Sequence, residues 1–261
     1  MFILIDFISK FMLLFSLLGL TYISNYIYKL YKLNTILKDN NIIIICDIPI
    51  KYKIYFNKLC SNIFDIDDCD NIINFLILNK NNLPKIILDS DGGSISSNDR
   101  LLYHILDNKL DMTSYVLRKS YSAGTLIALC SKNLYMDESA ILSPTDPQIN
   151  MLNDTYSVKS VMNLIDTKDV NMISDTILLT YNNIKVTYEE NINMTTKLLN
   201  KKFKYNTSKS DKKSLIDKFT TGDISHHNPI SYKYLSEFLD IHNNIPNIIN
   251  EIYSIYFKVF Y

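Results

Sequence analysis

The chemistry this chain could perform is concentrated around Ser122, in the stretch Lys119-Ser-Tyr-Ser-Ala-Gly-Thr-Leu-Ile-Ala-Leu-Cys130. Two small residues follow Ser122, and then an apolar run through Leu126, Ile127, Leu129 and Cys130. A small-residue turn at the start of a helix exposes the side chain at its tip. It also points unpaired backbone N–H groups forward. Such a turn can hold a nucleophilic hydroxyl and stabilise an oxyanion beside it. The simpler use of the same serine is to cap a buried helix.

Glycine usage marks the same neighbourhood. The chain has only five glycines. Gly92, Gly93 and Gly124 fall in or near the Ser122 region, and Gly222 lies just before a second polar segment. That segment, Thr220-Thr-Gly-Asp-Ile-Ser-His-His-Asn-Pro-Ile230, holds His226 and His227, two of only four histidines. A third polar loop, Ser143-Pro-Thr-Asp-Pro-Gln148, contributes Asp146. Taken alone, Asp146 reads equally as an Asp-Pro turn residue, and His226 equally as a loop histidine bonding backbone.

The elements that must position these residues alternate. Residues 41–50 form a β-branched run centred on Ile42–Ile45, and Asp67 to Asn79 has the pattern of a helix. Lys85-Ile-Ile-Leu-Asp89 is a buried strand ending in Ser90-Asp91-Gly92-Gly93, and the spacing of Leu101, Leu102, Ile105 and Leu106 predicts a helix over 94–108. Strands over 112–117, 133–136 and 140–142 and a helix over 125–131 continue the pattern. Residues 158–199 read as largely helical with a break near Lys168. Ser214 reads as the cap of a helix over 215–219, and Ser231 as the cap of one over 232–239. Alternating strands and helices imply an α/β fold on a parallel sheet. Ligands and catalytic groups gather at the carboxyl ends of such strands. The Gly-Gly turn, the Ser122 turn and the Asp146 loop all fall at such ends.

Composition narrows the class. The 261 residues are 47% hydrophobic and 21% charged, enough for a packed core, and the net charge is zero. No basic block is present, so nucleic acid is not an expected partner. Cys46, Cys60, Cys69 and Cys130 have neither C-x-x-C spacing nor a histidine at ligand spacing, which argues against zinc and reads as small buried residues.

Residues 1–32 are strongly apolar, with the best window at 11–28 flanked by Lys10, Lys29 and Lys32. About 18 residues is near the lower limit for a membrane span. No small-x-small cleavage site follows, which favours an uncleaved anchor over a signal peptide; a helix docking on the domain is the third reading. The lysines after the run place the main domain in the cytoplasm of a single-pass membrane protein. The expected organisation is an anchor (1–32), a linker (33–41), one α/β domain (42–242) and a C-terminal apolar helix (243–261).

In order and spacing, these motifs resemble the serine dehydrogenase proteinase family, membrane-anchored serine proteases of the ClpP/crotonase fold related to the signal peptide peptidase SppA. Ile87-Leu-Asp-Ser-Asp-Gly-Gly93 is similar to that family's strand ending in Thr-Pro-Gly-Gly. Tyr121-Ser-Ala-Gly-Thr-Leu-Ile-Ala-Leu129 with Leu142-Ser-Pro-Thr-Asp-Pro-Gln148 resembles its Met-Ser-Gly-Gly-Thr-Leu-Ile-Ala-Leu and Gly-Pro-x-Asp-Pro-Gln. Phe219-Thr-Thr-Gly, Ser225-His226 and Pro229-Ile230 resemble its Leu-Thr-Thr-Gly-x-Trp-Thr-His-Asp-Tyr-Pro-Ile. The resemblance runs from the N-terminal segment to Ile241. It implies repeated β-β-α units, peptide-bond hydrolysis through an acyl-enzyme, no cofactor or metal, and peptide or membrane-protein substrates. Homo-oligomers are implied by analogy with related folds.

Carried over by motif, Ser122 falls on the nucleophile, and Gly92, Gly93 and the Ala123 N–H on the oxyanion hole. In ClpP a histidine occupies the loop holding Asp146, and the triad aspartate lies near the place of His226. The resemblance therefore implies exchanged partners, His226 as base and Asp146 as its orienter. The rival is a Ser–Lys dyad as in SppA, with Lys168 or Lys185 as base. Departures stand at three places. Asp91 replaces the proline before Gly-Gly and puts a negative charge beside the oxyanion hole, Ala123 replaces a glycine, and the Trp of the histidine loop is gone. A catalytically inactive scaffold or binding module is the alternative function these departures raise. A hydratase of the same fold would need an acid pair at the Gly-Gly turn and a basic face for coenzyme A, and neither is present.

Overall fold

Four isoleucines and a cysteine, Ile42–Cys46, form β1 and are buried at every position. A continuous apolar strand of this kind must be covered on both faces, which is the condition of a parallel sheet. β1 is the second strand of such a sheet in the computed structural model of the chain, which describes residues 2–46, 60–61, 66–151 and 154–260. The elements around it are β2 (Cys60–Ser61), α2 (Ile66–Asn79), β3 (Lys85–Ser90), α3 (Ile95–Asp107), β4 (Thr113–Ser120), α4 (Ala123–Cys130), β5 (Asn133–Met136) and β6 (Ile141–Leu142). β9 (Ile230–Ser231) closes the edge. The strand order is β2-β1-β3-β4-β6-β9, with β5 also on β4, and every pairing is parallel except β6 with β9. This mixed α/β architecture with a parallel sheet fits a ClpP-like fold.

Two nonpolar layers meet in the main core. Ile43, Ile45, Ile86, Leu88 and Val116 project from the strands onto Ile72 and Leu76 of α2, Leu101 and Ile105 of α3, and Ile127 of α4. Burying each such side chain contributes about 1.5–3 kcal/mol.

The second half of the domain is helical. It comprises α5 (Val158–Thr167), α6 (Asp175–Asn200), α7 (Lys209–Thr220) and α8 (Tyr232–Phe238). The expected break near Lys168 is present, with a short 3-10 turn, Val170–Met172, between α5 and α6. α8 begins at Ser231, whose hydroxyl accepts the Tyr234 N–H at 3.3 Å. α7 differs from the expectation. It starts at Lys209, and Ser208 rather than Ser214 is the cap, its Oγ accepting the Asp211 N–H at 3.1 Å. The polar run Lys209–Lys213 carries no apolar period to announce a helix; the cap alone starts it. A hairpin of β7 (Gln148–Met151) and β8 (Asp154–Ser157) was not expected, because two four-residue strands with mixed polarity leave little alternation to read.

The chain divides into two units, residues 41–245 and a helical pair drawn from both termini. The pair consists of α1 (Phe2–Asp39) and α9 (Asn247–Phe260), joined by an ion pair of Lys32 with Glu251 at 2.9 Å. The linker expected at 33–41 is helical to Asp39: no glycine or proline stops it, and Leu33 and Leu37, four residues apart, are both fully buried. The membrane anchor expected at 1–32 falls mostly on residues whose side chains lie outside those described. Among the described residues, no helix is long and apolar enough to cross a membrane. From Thr21 onward α1 mixes Tyr, Ser, Asn and Lys among its isoleucines, which lowers its hydropathy.

Candidate active site

Ser122 stands between β4 and α4 with φ 50° and ψ −117°, a conformation that L-residues rarely adopt. Holding a non-glycine residue there costs on the order of 1–3 kcal/mol. Several local bonds offset that strain. The Ser122 N–H donates to Ser143 Oγ at 2.8 Å, the Gly124 N–H to the Tyr121 carbonyl at 2.8 Å, and the Tyr121 N–H to the Ser90 carbonyl at 2.9 Å. Thr125 Oγ1 donates to the Ser120 carbonyl at 2.6 Å and lies 3.1 Å from the Ser143 carbonyl. A strained serine on a sharp strand-to-helix turn presents its hydroxyl outward, away from its own helix. No side-chain capping bond joins Ser122 to α4, so the serine is not spent as an N-cap.

The sheet itself makes the turn. From Leu88 to Ser90 on β3 the partners on β4 run from Val116 to Ser120, so β4 bulges just before Ser122. A bulge bends its strand and re-aims the residues that follow. Arg118, within the bulge, reaches back to the fully buried Asp89 with Nε and Nη2 each 3.0 Å from a carboxylate oxygen. That two-point bond neutralises the carboxylate and ties the carboxyl ends of β3 and β4 together.

Gly92 has φ +123°, and a Cβ built on it would stand 2.9 Å from Ser122 Cβ. Only a glycine can approach the serine this closely. Its N–H donates to Ser90 Oγ at 3.1 Å, so in this structure that group is engaged within the turn. Gly93 lines the cavity in front of Ser122, as does Ala123. Ala123 is the first residue of α4, where a helical backbone accepts alanine in place of glycine and the N–H has no intrahelical partner. Asp91 forms an ion pair with Lys119, so the charge beside Gly92 faces a cation from β4.

His226 and Asp146 come together from loops 80 residues apart. His226 Nδ1 lies 2.8 Å from Asp146 Oδ1, and Gln148 Nε2 donates to Asp146 Oδ2 at 2.6 Å. Asp146 is 2% exposed, so both its oxygens are occupied and its carboxylate is held in place. Gly222, at φ +66°, passes close beneath; a Cβ there would stand 3.2 Å from Asp146 Oδ2. The loop also meets the serine turn through the His227 ring, whose centroid is 6.1 Å from that of Tyr121. An imidazole that donates Nδ1–H to a carboxylate keeps Nε2 as its basic atom. Ser122, Gly93, Ala123 and His226 line one cavity of about 770 Å³.

The two lysines weighed as bases are placed elsewhere. Lys168 sits at the end of α5 against Val161, Leu164 and Met172, lining a different cavity. Lys185 is exposed on α6, and neither lysine lines the cavity of Ser122. Sequence reasoning missed Ser143 and Gln148 as supporting residues, although both lie in the loop it singled out; their bonds depend on where the loop folds back.

The domain is a parallel-sheet α/β fold that sets a strained serine and a histidine on one cavity, with an aspartate behind the histidine. The chain matches, over residues 3–260, the family described as ClpP-like SDH-type serine proteinase, and it belongs to that family. Two uncharacterized proteins of Methanocaldococcus jannaschii are similar to it, 25% and 26% identical over 193 residues, 73% of this chain. The match spans 63% and 65% of those proteins' lengths.

Proposed function

We propose that this chain is a serine peptidase that cuts peptide bonds through an acyl-enzyme on Ser122. The observation that carries the reading is the 2.8 Å contact of His226 Nδ1 with the buried Asp146, beside a serine on the same cavity. Asp146 holds the imidazole and stabilises its charged form. His226 Nε2 takes the proton from Ser122 Oγ as the hydroxyl attacks the scissile carbonyl. The same proton then passes to the leaving amine. Donors for the oxyanion are the N–H groups of Ala123 and Gly93, at the positive end of α4. Water, activated in the same way, releases the acyl group.

Lys119 answers the objection raised by Asp91, since its ammonium group offsets the carboxylate on the oxyanion side. The test is labelling of the full chain with a fluorophosphonate probe. Labelling should be lost in Ser122→Ala and retained in Ser120→Ala. A folded wild-type chain that takes no label would overturn the reading and favour a binding scaffold.

A further inference from the structure

Part of the lining of the Ser122 cavity is polar and carries no cation. It is formed by Asn98 and Asp99 in the early part of α3 and by Thr187 and Asn191 on α6. Asn98 is 2% exposed, and its Oδ1 is buried without a hydrogen-bond partner. Asn191 Oδ1 is likewise buried and unpartnered. A buried carbonyl oxygen left unsatisfied costs about 1–3 kcal/mol, and a ligand donor reaching it would recover that cost. Asp99 lies among them, and no ion pair holds it among the described residues. Burial, and secondarily the charge of Glu190, raise its carboxyl pKa above the ordinary value. A neighbouring cation would oppose that shift. None of the described residues lining the cavity is a lysine or arginine, and the other carboxylate there, Asp91, is already paired with Lys119.

We propose that Asn98, Asp99 and Asn191 form a specificity subsite that seats the cationic side chain of a lysine or arginine of the peptide, within three residues of the bond cut at Ser122. The inference rests on the peptidase reading above and adds the substrate class to it. An ammonium or guanidinium group supplies the donors that two amide oxygens and a carboxylate lack, and it is desolvated only in the bound state. A neutral isostere such as glutamine or norleucine leaves the carboxylate without its partner. An acidic side chain meets like charge.

The experiment is digestion of a mixed peptide library by the full chain, with cut positions read by mass spectrometry, alongside fluorophosphonate labelling of the same preparation. Lysine and arginine should be enriched about tenfold at one position within three residues of the cut. Asp99→Asn should lower that enrichment at least about fivefold. Asp99→Lys should move the preference toward aspartate and glutamate, a gain that misfolding cannot imitate. A labelled enzyme that cuts without a basic preference, or whose preference is unchanged in both variants, overturns the subsite and leaves the peptidase reading standing. A folded chain that neither labels nor cuts overturns the peptidase reading, and the subsite falls with it.

Discussion

The Ser122 turn and the His226 loop supply the two halves of one site, and they are built differently. The serine turn is a piece of the sheet. Its strain is held by a bulge in β4, by Gly92 packed on the serine, and by bonds from Ser143 and Thr125. The histidine loop is polar and partly exposed, it enters the sheet at Ile230, and its His226 is held by Asp146 of another loop. In the first region, geometry and stability are the same thing. In the second, the chemistry depends on one contact between two loops. Substitutions should therefore separate the two regions by whether activity falls with stability or without it.

The largest separation should come from His226→Ala. Turnover is expected to fall by at least about 10⁴-fold, as when the base is removed from a hydrolytic triad, while stability falls by about 1–2 kcal/mol, because the buried Asp146 loses one partner and keeps Gln148. Peptide hydrolysis and urea unfolding on the same preparations measure both. A variant that unfolds as it loses activity would break the comparison. Gly92→Ala is the counterpart in the serine turn. The new methyl meets Ser122 Cβ at φ +123°, so it should cost roughly 2–4 kcal/mol in unfolding free energy and abolish most activity as well. Ser143→Ala should come next, at about 1–2 kcal/mol, because the Ser122 N–H loses its acceptor; labelling of Ser122 should slow with it.

The smallest effect concerns neither region and serves as a control. Lys202 is 5% exposed and donates to the Lys132 carbonyl at 2.6 Å. Burial lowers its pKa to about 8, against the partly opposing charge of Asp240. Between that value and the ordinary lysine value of about 10.4, the unfolded chain binds more protons than the folded one. Stability contributed by this group therefore rises with pH across that window. Lys202→Met should flatten the rise in denaturant midpoints between about pH 8 and 10 without touching labelling.

The same contrast explains what could be read in the sequence. The strand pattern, the small-residue turn after Ser122 and the Gly-Gly turn are local, so period and residue type announce them. The helix start at Ser231 was legible for the same reason, whereas α7 was not, because Lys209–Lys213 has no apolar period. His226 and Asp146 are separated by 80 residues, and no spacing rule joins them; only motif resemblance paired them. Gln148 and Ser143 were legible as loop residues but not as partners. The committed N–H of Gly92 and the unpartnered oxygen of Asn98 are facts of packing alone. Lys168 and Lys185 were the rival bases to His226, and the helices put them outside the cavity.

The central claim is that His226, held by Asp146, activates Ser122. The second-order rate of fluorophosphonate attachment to Ser122, located by mass spectrometry, tests it most directly. The rate should fall at least about a hundredfold in His226→Ala and by a similar factor in Asp146→Ala, and stay within about twofold of wild type in Lys168→Ala and Lys185→Ala. An unchanged rate in His226→Ala, or a collapse in either lysine variant, would contradict it.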